Sequence, residues 1–142
     1  PGVMKAVMGL ETYVRQSGLE QSLIELVKLR ASIINGCAYC VDMHTKDARA
    51  AGETEQRLYA VPVWRETPFF TPRERAALAY TEAVTEISRQ GVPDDVFAEA
   101  RAQFSEEELV NLTMAVVTIN SWNRFAVTFR SDVGGYQPRA VS

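Results

Sequence analysis

The chain reads as an all-α protein, on three observations. Apolar residues recur at spacings of three and four through most of its length, the repeat of a helix with one buried face. Helix-stopping residues bound those stretches: Ser17-Gly18, Asn35-Gly36, Gly52 and Gly91. Two capping boxes, Thr71-Pro72-Arg73-Glu74 and Ser105-Glu106-Glu107-Glu108, mark helix starts.

In chain order, Val3, Met4, Val7, Leu10 and Val14 form the first stripe, and Leu23, Ile24, Val27, Ala31 and Ile34 the second. A third helix is expected from about Cys37 to Ala51, and Thr54 caps a short one that ends near Pro62. Residues 60–70 hold two prolines and three large aromatics, and read as a connecting loop that packs its rings. The helix opened at Thr71 buries Ala76, Tyr80, Ala83, Val84 and Ile87 and closes at Gly91. A shorter helix follows from Pro93 to about Gln103. The last and longest runs from Ser105 to about Arg130. It carries no charge from Leu109 to Asn123, which suits a central position or a subunit interface. The tail after Ser131 is expected to be irregular. About six to seven helices result, in one domain covering residues 1–142.

Composition narrows the function. Fifteen Lys+Arg against eighteen Asp+Glu give a net charge of -3, with no basic footprint for nucleic acid. No apolar run approaches the roughly 18 residues of a membrane helix, so no membrane partner is expected. No charged segment followed by an apolar one suggests export, and a CxxC pair in that setting reads as intracellular thiol chemistry in the cytoplasm. Two cysteines and one histidine exclude a disulfide scaffold and a zinc site closed by four Cys/His ligands.

Those three residues, Cys37, Cys40 and His44, fall within eight positions. At about 100° per residue, Cys40 lies about 60° from Cys37 and His44 about 20° from it, one narrow stripe. The break at Asn35-Gly36 puts Cys37 at a helix N-terminus, where unpaired N–H groups favour a thiolate. His44 stands one turn beyond Cys40, within reach as a base for its thiol. If the second and third helices form a hairpin, Glu25 lies about 13 Å from the turn and His44 about 10 Å, nearly level. A carboxylate there raises the basicity of the imidazole and fixes its tautomer. Glu25, His44, Cys40 and Cys37 then make one proton relay ending in a dithiol. Two alternatives stand beside it. In one, Glu25 forms a surface ion pair with Lys28; in the other, Cys37, Cys40 and His44 with Glu25 ligate a metal. Asp42, Lys46 and Asp47 read as the solvated side of the third helix.

The spacing Glu25-x11-Cys37-x2-Cys40-x3-His44, inside IELVKLRASIINGCAYCVDMHTKDARAAGET, resembles the alkylhydroperoxidase D (AhpD)-like group of the carboxymuconolactone decarboxylase superfamily. FTPRERAALAYTEAVTEI and INSWNRFAVTFR extend the likeness over nearly the whole chain. The resemblance implies an AhpD-like helical bundle that assembles into homotrimers or homohexamers, and a thiol peroxidase of antioxidant defence with no cofactor beyond its dithiol. It implies Cys40 as peroxidatic thiolate, Cys37 as resolving thiol, His44 as base and Glu25 as its partner, with a hydroperoxide as substrate. A dihydrolipoyl domain would restore the dithiol, and a peroxiredoxin is a further possible partner. The better-known members carry a second His directly before the second Cys; Tyr39 stands there, which leaves the relay one imidazole short. The chain is also shorter than two-repeat members, so a dimer would supply what one longer subunit contains. Other readings are a carboxymuconolactone decarboxylase-like lyase, with Arg124 or Arg30 for a carboxylate, and a non-enzymatic redox sensor or metal-binding oligomer. Trp122, Asn123 and Arg124 are candidates to line the site or an interface.

Overall fold

The computed structural model describes residues 1–139. They form eight α-helices: α1 (Gly2–Arg15), α2 (Gln21–Ile34), α3 (Ala38–Ala50), α4 (Glu55–Ala60), α5 (Pro72–Thr85), α6 (Ile87–Gln90), α7 (Asp94–Gln103) and α8 (Glu106–Thr128). No strand occurs among the described residues. Both expected capping boxes are present, with the Thr71 hydroxyl accepting from the Glu74 N–H and the Ser105 hydroxyl from the Glu108 N–H.

α2 is the axis of the molecule, packed by α3, α5 and α8. Every residue from Leu23 to Leu29 is buried, including Glu25 and Lys28. One side, with Leu23, Ile24 and Val27, joins a core with Val14, Ala77, Tyr80 and Leu112. The other, with Leu26 and Leu29, joins a second core with Leu58, Trp64, Phe70 and Leu78. A helix enclosed on all sides removes water from its polar side chains as well, so each of them needs a partner within the protein.

Three sequence expectations change. Residues 61–66 are a 3₁₀ turn (Val61–Glu66) rather than a plain loop. Pro62 sits in its first turn, where its missing N–H costs nothing. Trp64 and Phe70 are buried, so the rings pack as expected. The helix from Thr71 does not run to Gly91: Glu86 leaves helical geometry (φ -102°, ψ 36°), and the separate α6 turns Ile87 out to 57% exposure. Val3 and Met4, expected on a buried stripe, are 60% and 58% exposed, because they line an open cleft. The tail from Ser131 to Arg139 has neither helix nor strand.

The turn from α2 into α3 sets the position of the dithiol. Asn35 ends α2, and Gly36 takes a left-handed conformation (φ +66°). Its N–H donates to the Ile33 carbonyl at 3.2 Å, and the Cys37 N–H to the Ser32 carbonyl at 2.9 Å. Paired bonds of this pattern close a helix around a left-handed residue. The side chain of Asn35 is anchored as well. It donates to Asn123 Oδ1 at 2.9 Å and Asn120 Oδ1 at 3.0 Å on α8, and Asn123 Nδ2 donates to Ser32 Oγ at 3.0 Å.

A Cβ at Gly36 would meet no atom within 4 Å, so Gly36→Ala tests the backbone conformation by itself. The expected outcome is a destabilisation of about 1 kcal/mol in urea unfolding. An unchanged midpoint would show that the turn tolerates an ordinary residue.

Candidate active site

Cys37 is the last residue before α3 and caps it: its Sγ accepts from the Cys40 N–H at 3.3 Å. The expected third helix therefore begins one residue late, with Cys37 outside it. Cys37 and Cys40 are joined as a disulfide with Cα atoms 5.3 Å apart, and each is 1% exposed. One turn on, His44 Nδ1 lies 3.0 Å from Glu25 Oε2. The carboxylate is an acceptor, so Nδ1 carries the proton and Nε2 keeps a free lone pair. Glu25 is oriented in turn by Gln21, whose Nε2 donates to Oε1 at 3.1 Å.

Lys28, the alternative partner for Glu25, instead meets Glu11 of α1. Lys28 is 2% exposed and Glu11 4%; Trp122 Nε1 donates to Glu11 Oε2 at 3.1 Å, and Arg15 stands 3.4 Å from Oε1. Burial pushes the Glu11 carboxyl up. The Lys28 charge, with the hydrogen bonds from Lys28 and Trp122, outweighs burial and holds it below its ordinary value of 4.5. So α2 presents two charges one turn apart, each with its own partner.

A cleft of about 900 Å³ opens over both pairs. Cys40, His44 and Glu25 form one wall and Lys28, Glu11 and Trp122 another; Cys37 does not reach it. Val3, Met4 and Met8 of α1, Phe125 of α8 and Phe129 just after it make the mouth apolar. Tyr39 also lines the cleft.

The remaining sequence candidates separate. Trp122 lines the cleft, whereas Asn123 is fully buried and anchors the α2–α3 turn. Arg124 is exposed and bonds Asn120 of its own helix at 2.9 Å. Arg30 is held by Glu82 at 2.9 Å. Neither arginine reaches the cleft, because both are committed to pairs elsewhere. Asp42, Lys46 and Asp47 are half-buried rather than a solvated face, since the tail lies over them. Glu25, His44 and Asp47 each bring one polar atom within 4.8 Å of the others. The Glu25 carboxylate already accepts from His44, and Asp47 from Tyr136 at 2.7 Å, so hydrogen bonding accounts for the cluster. Sequence reasoning did not single out Gln21, Glu11 or Tyr136. Only Gln21 has a local signal, its i,i+4 spacing to Glu25.

An all-helical protein whose buried CxxC disulfide shares a cleft with a carboxylate–imidazole pair is of the dithiol type. The sequence profile of the carboxymuconolactone decarboxylase family matches residues 1–83. The chain belongs to that family and is an AhpD-like member of it. It is 45% identical to the uncharacterized protein YdfG of Bacillus subtilis, over 89% of this chain and 86% of that one. It is 54% identical to a protein of unknown function from Agrobacterium tumefaciens, for which the identity antioxidant defence protein AhpD is suggested. Their structures agree with a TM-score of 0.91 over 94% and 92% of the two chains. At the level of fold alone it is similar to the debrominase Bmp8, with TM-score 0.83 and 21% identity over 92% of this chain and 70% of that one.

The Glu11–Lys28 pair makes a stability prediction. Glu11→Gln strands a buried ammonium, and the expected loss at pH 7 is about 3 kcal/mol. Because the folded carboxyl titrates below its unfolded value, the pair's contribution is complete above about pH 5 and fades as pH falls through the lower folded value. The gap between wild type and Glu11→Gln in urea unfolding should therefore close in acid. A gap that stays constant down to about pH 3 would contradict this sign.

Proposed function

We propose that this protein is a thiol-dependent hydroperoxide reductase of antioxidant defence. The observation that carries the reading is that Cys40, and not Cys37, opens on the cleft that holds His44 and Glu25. A substrate entering the cleft therefore meets the sulfur nearest the base.

In the reduced protein, Nε2 of His44 takes the Cys40 proton, and Glu25 stabilises the imidazolium that forms. The thiolate attacks one peroxide oxygen. The O–O bond breaks, Cys40 becomes a sulfenic acid, and the leaving alkoxide takes the proton from His44 to depart as an alcohol. Cys37 then attacks the Cys40 sulfur; the S–S bond forms and water leaves. On this reading the Cys37–Cys40 disulfide corresponds to the oxidised stage. An external dithiol, such as a dihydrolipoyl domain, returns two electrons and two protons by exchange. A peroxiredoxin is a possible further partner. No organic or metal cofactor takes part.

The likeness to the Agrobacterium protein and its suggested AhpD identity support this reading. A homotrimer or homohexamer belongs to the same proposal. Val110 and Val117, on the uncharged stretch of α8, are 66% and 43% exposed, which favours burial against another copy. A reducing, cytoplasmic setting suits a dithiol that must be regenerated. Among the described residues, no helix is long and apolar enough to cross a membrane.

With excess dithiol, Cys40→Ser should abolish peroxide consumption, and Cys37→Ser should accumulate a sulfenic acid at Cys40 that a cyclic diketone traps. His44→Asn should lower turnover by about 100-fold or more. Wild-type rates in both cysteine variants would end the proposal. A disulfide that changes the assembly size without turnover would point instead to a redox sensor.

A further inference from the structure

The tail after α8 returns to the site. α8 closes on a left-handed Arg130 (φ 53°), with Ser131 N–H donating to the Ala126 carbonyl at 3.0 Å. Lys46 of α3 then grips the tail, donating to the carbonyls of Gly134 at 3.2 Å and Tyr136 at 3.1 Å while paired with Asp42 at 2.9 Å. This lays Tyr136 across α3, half-buried at the edge of the cleft. Its hydroxyl donates to Asp47 Oδ1 at 2.7 Å.

Asp47 stands three residues beyond His44 on the same helix, so the two lie on neighbouring positions of one face. A carboxylate oxygen of Asp47, one of Glu25 and a ring nitrogen of His44 fall within 4.8 Å of one another. The imidazole therefore has two carboxylates beside it. Glu25 reaches it from α2 and is aligned by Gln21; Asp47 reaches it along α3 and is aligned by the tail.

We propose that Tyr136 is a positioning residue: its hydrogen bond to Asp47 holds a second carboxylate against the His44–Glu25 pair. The inference rests on the reading of His44 as the base for Cys40. Two flanking carboxylates stabilise the imidazolium formed when the Cys40 proton moves. Tyr136 is suited to the task because it stays a donor. Burial, then the hydrogen bond to Asp47 and the charges of Asp47 and Glu25, push its phenol up to about 12.

The other ionisable groups facing His44 leave this arrangement distinct. From α1 and α2, Glu11, Arg15 and Lys28 are engaged with one another across the cleft. α3 contributes Tyr39, α8 the uncharged Trp122, and the tail adds Asp132 to the cleft lining. Asp47 is the acidic neighbour of His44 that a tail contact orients.

Because the chain has one histidine, its imidazole Cε1–H resonance reports His44 without assignment. Its titration would be followed by NMR in the full-length disulfide form, where no thiol ionises. Asp47→Asn keeps an acceptor for Tyr136 but removes the charge, and should move the midpoint down by about half a pH unit. Tyr136→Phe should move it the same way by a smaller step, and should add nothing in the Asp47→Asn background. A midpoint unmoved within about 0.1 unit in Asp47→Asn would overturn the inference. So would a Tyr136→Phe shift that persists undiminished in the double variant, which would leave Tyr136 as mere cover. Peroxide turnover measured alongside separates the two levels. Wild type without turnover but with these shifts sinks the peroxidase reading alone, and normal turnover with unmoved midpoints sinks this inference alone.

Discussion

The constraint on which the site depends is the enclosure of α2. A helix buried on every side from Leu23 to Leu29 can hold apolar residues without difficulty, yet this one carries Glu25 and Lys28 in the same stretch. An ionised group without water or a partner is too costly to keep. The fold meets that demand from two directions, with His44 of α3 for Glu25 and Glu11 of α1 for Lys28. Both pairs lie along one cleft, because residues three apart on a helix share a face. The polar floor of the cleft is thus a consequence of where α2 sits.

Enclosure would have little chemical use if the dithiol were loosely placed. The α2–α3 turn prevents that. Gly36 accepts the left-handed geometry that lets one residue close α2 and the next begin α3. Asn35, Ser32 and Asn123 then fasten the turn to α8 through hydrogen bonds, that between Asn123 and Ser32 fully buried. Cys37 is held at the helix start, and Cys40 one turn inside lines the same cleft as His44. An amide network of this kind has few alternative arrangements, which suits a site whose two sulfurs are joined.

Much of this was legible in the chain because it is local. Cys37, Cys40 and His44 lie on one turn and helix, and Glu25 is reached across a hairpin whose length can be counted. The helix start at Thr71 is legible for a similar reason, since a capping box is a short-range device. The failures have a common cause. Ile87 was assigned to a buried face by continuing a period through Glu86, where the backbone leaves the helix. Val3 and Met4 lie at the exposed end of an apolar stripe whose Val7 and Val14 are buried. The alternative of a Glu25–Lys28 ion pair fails because Lys28 meets Glu11, 17 residues away on another helix.

By itself, then, the sequence determined the helical class, the main helix starts and stops, and the dithiol–imidazole stripe with a carboxylate level with it. Each follows from spacing along one helix or across one short turn. Tertiary structure alone decided which charges are buried and with whom they pair. It also decided that Trp122 lines the cleft while Asn123 turns into the core, and that Tyr136 returns from the tail to Asp47. Those outcomes depend on how α1, α8 and the tail pack around α2. Contacts between residues about a hundred positions apart leave no periodic trace in the chain.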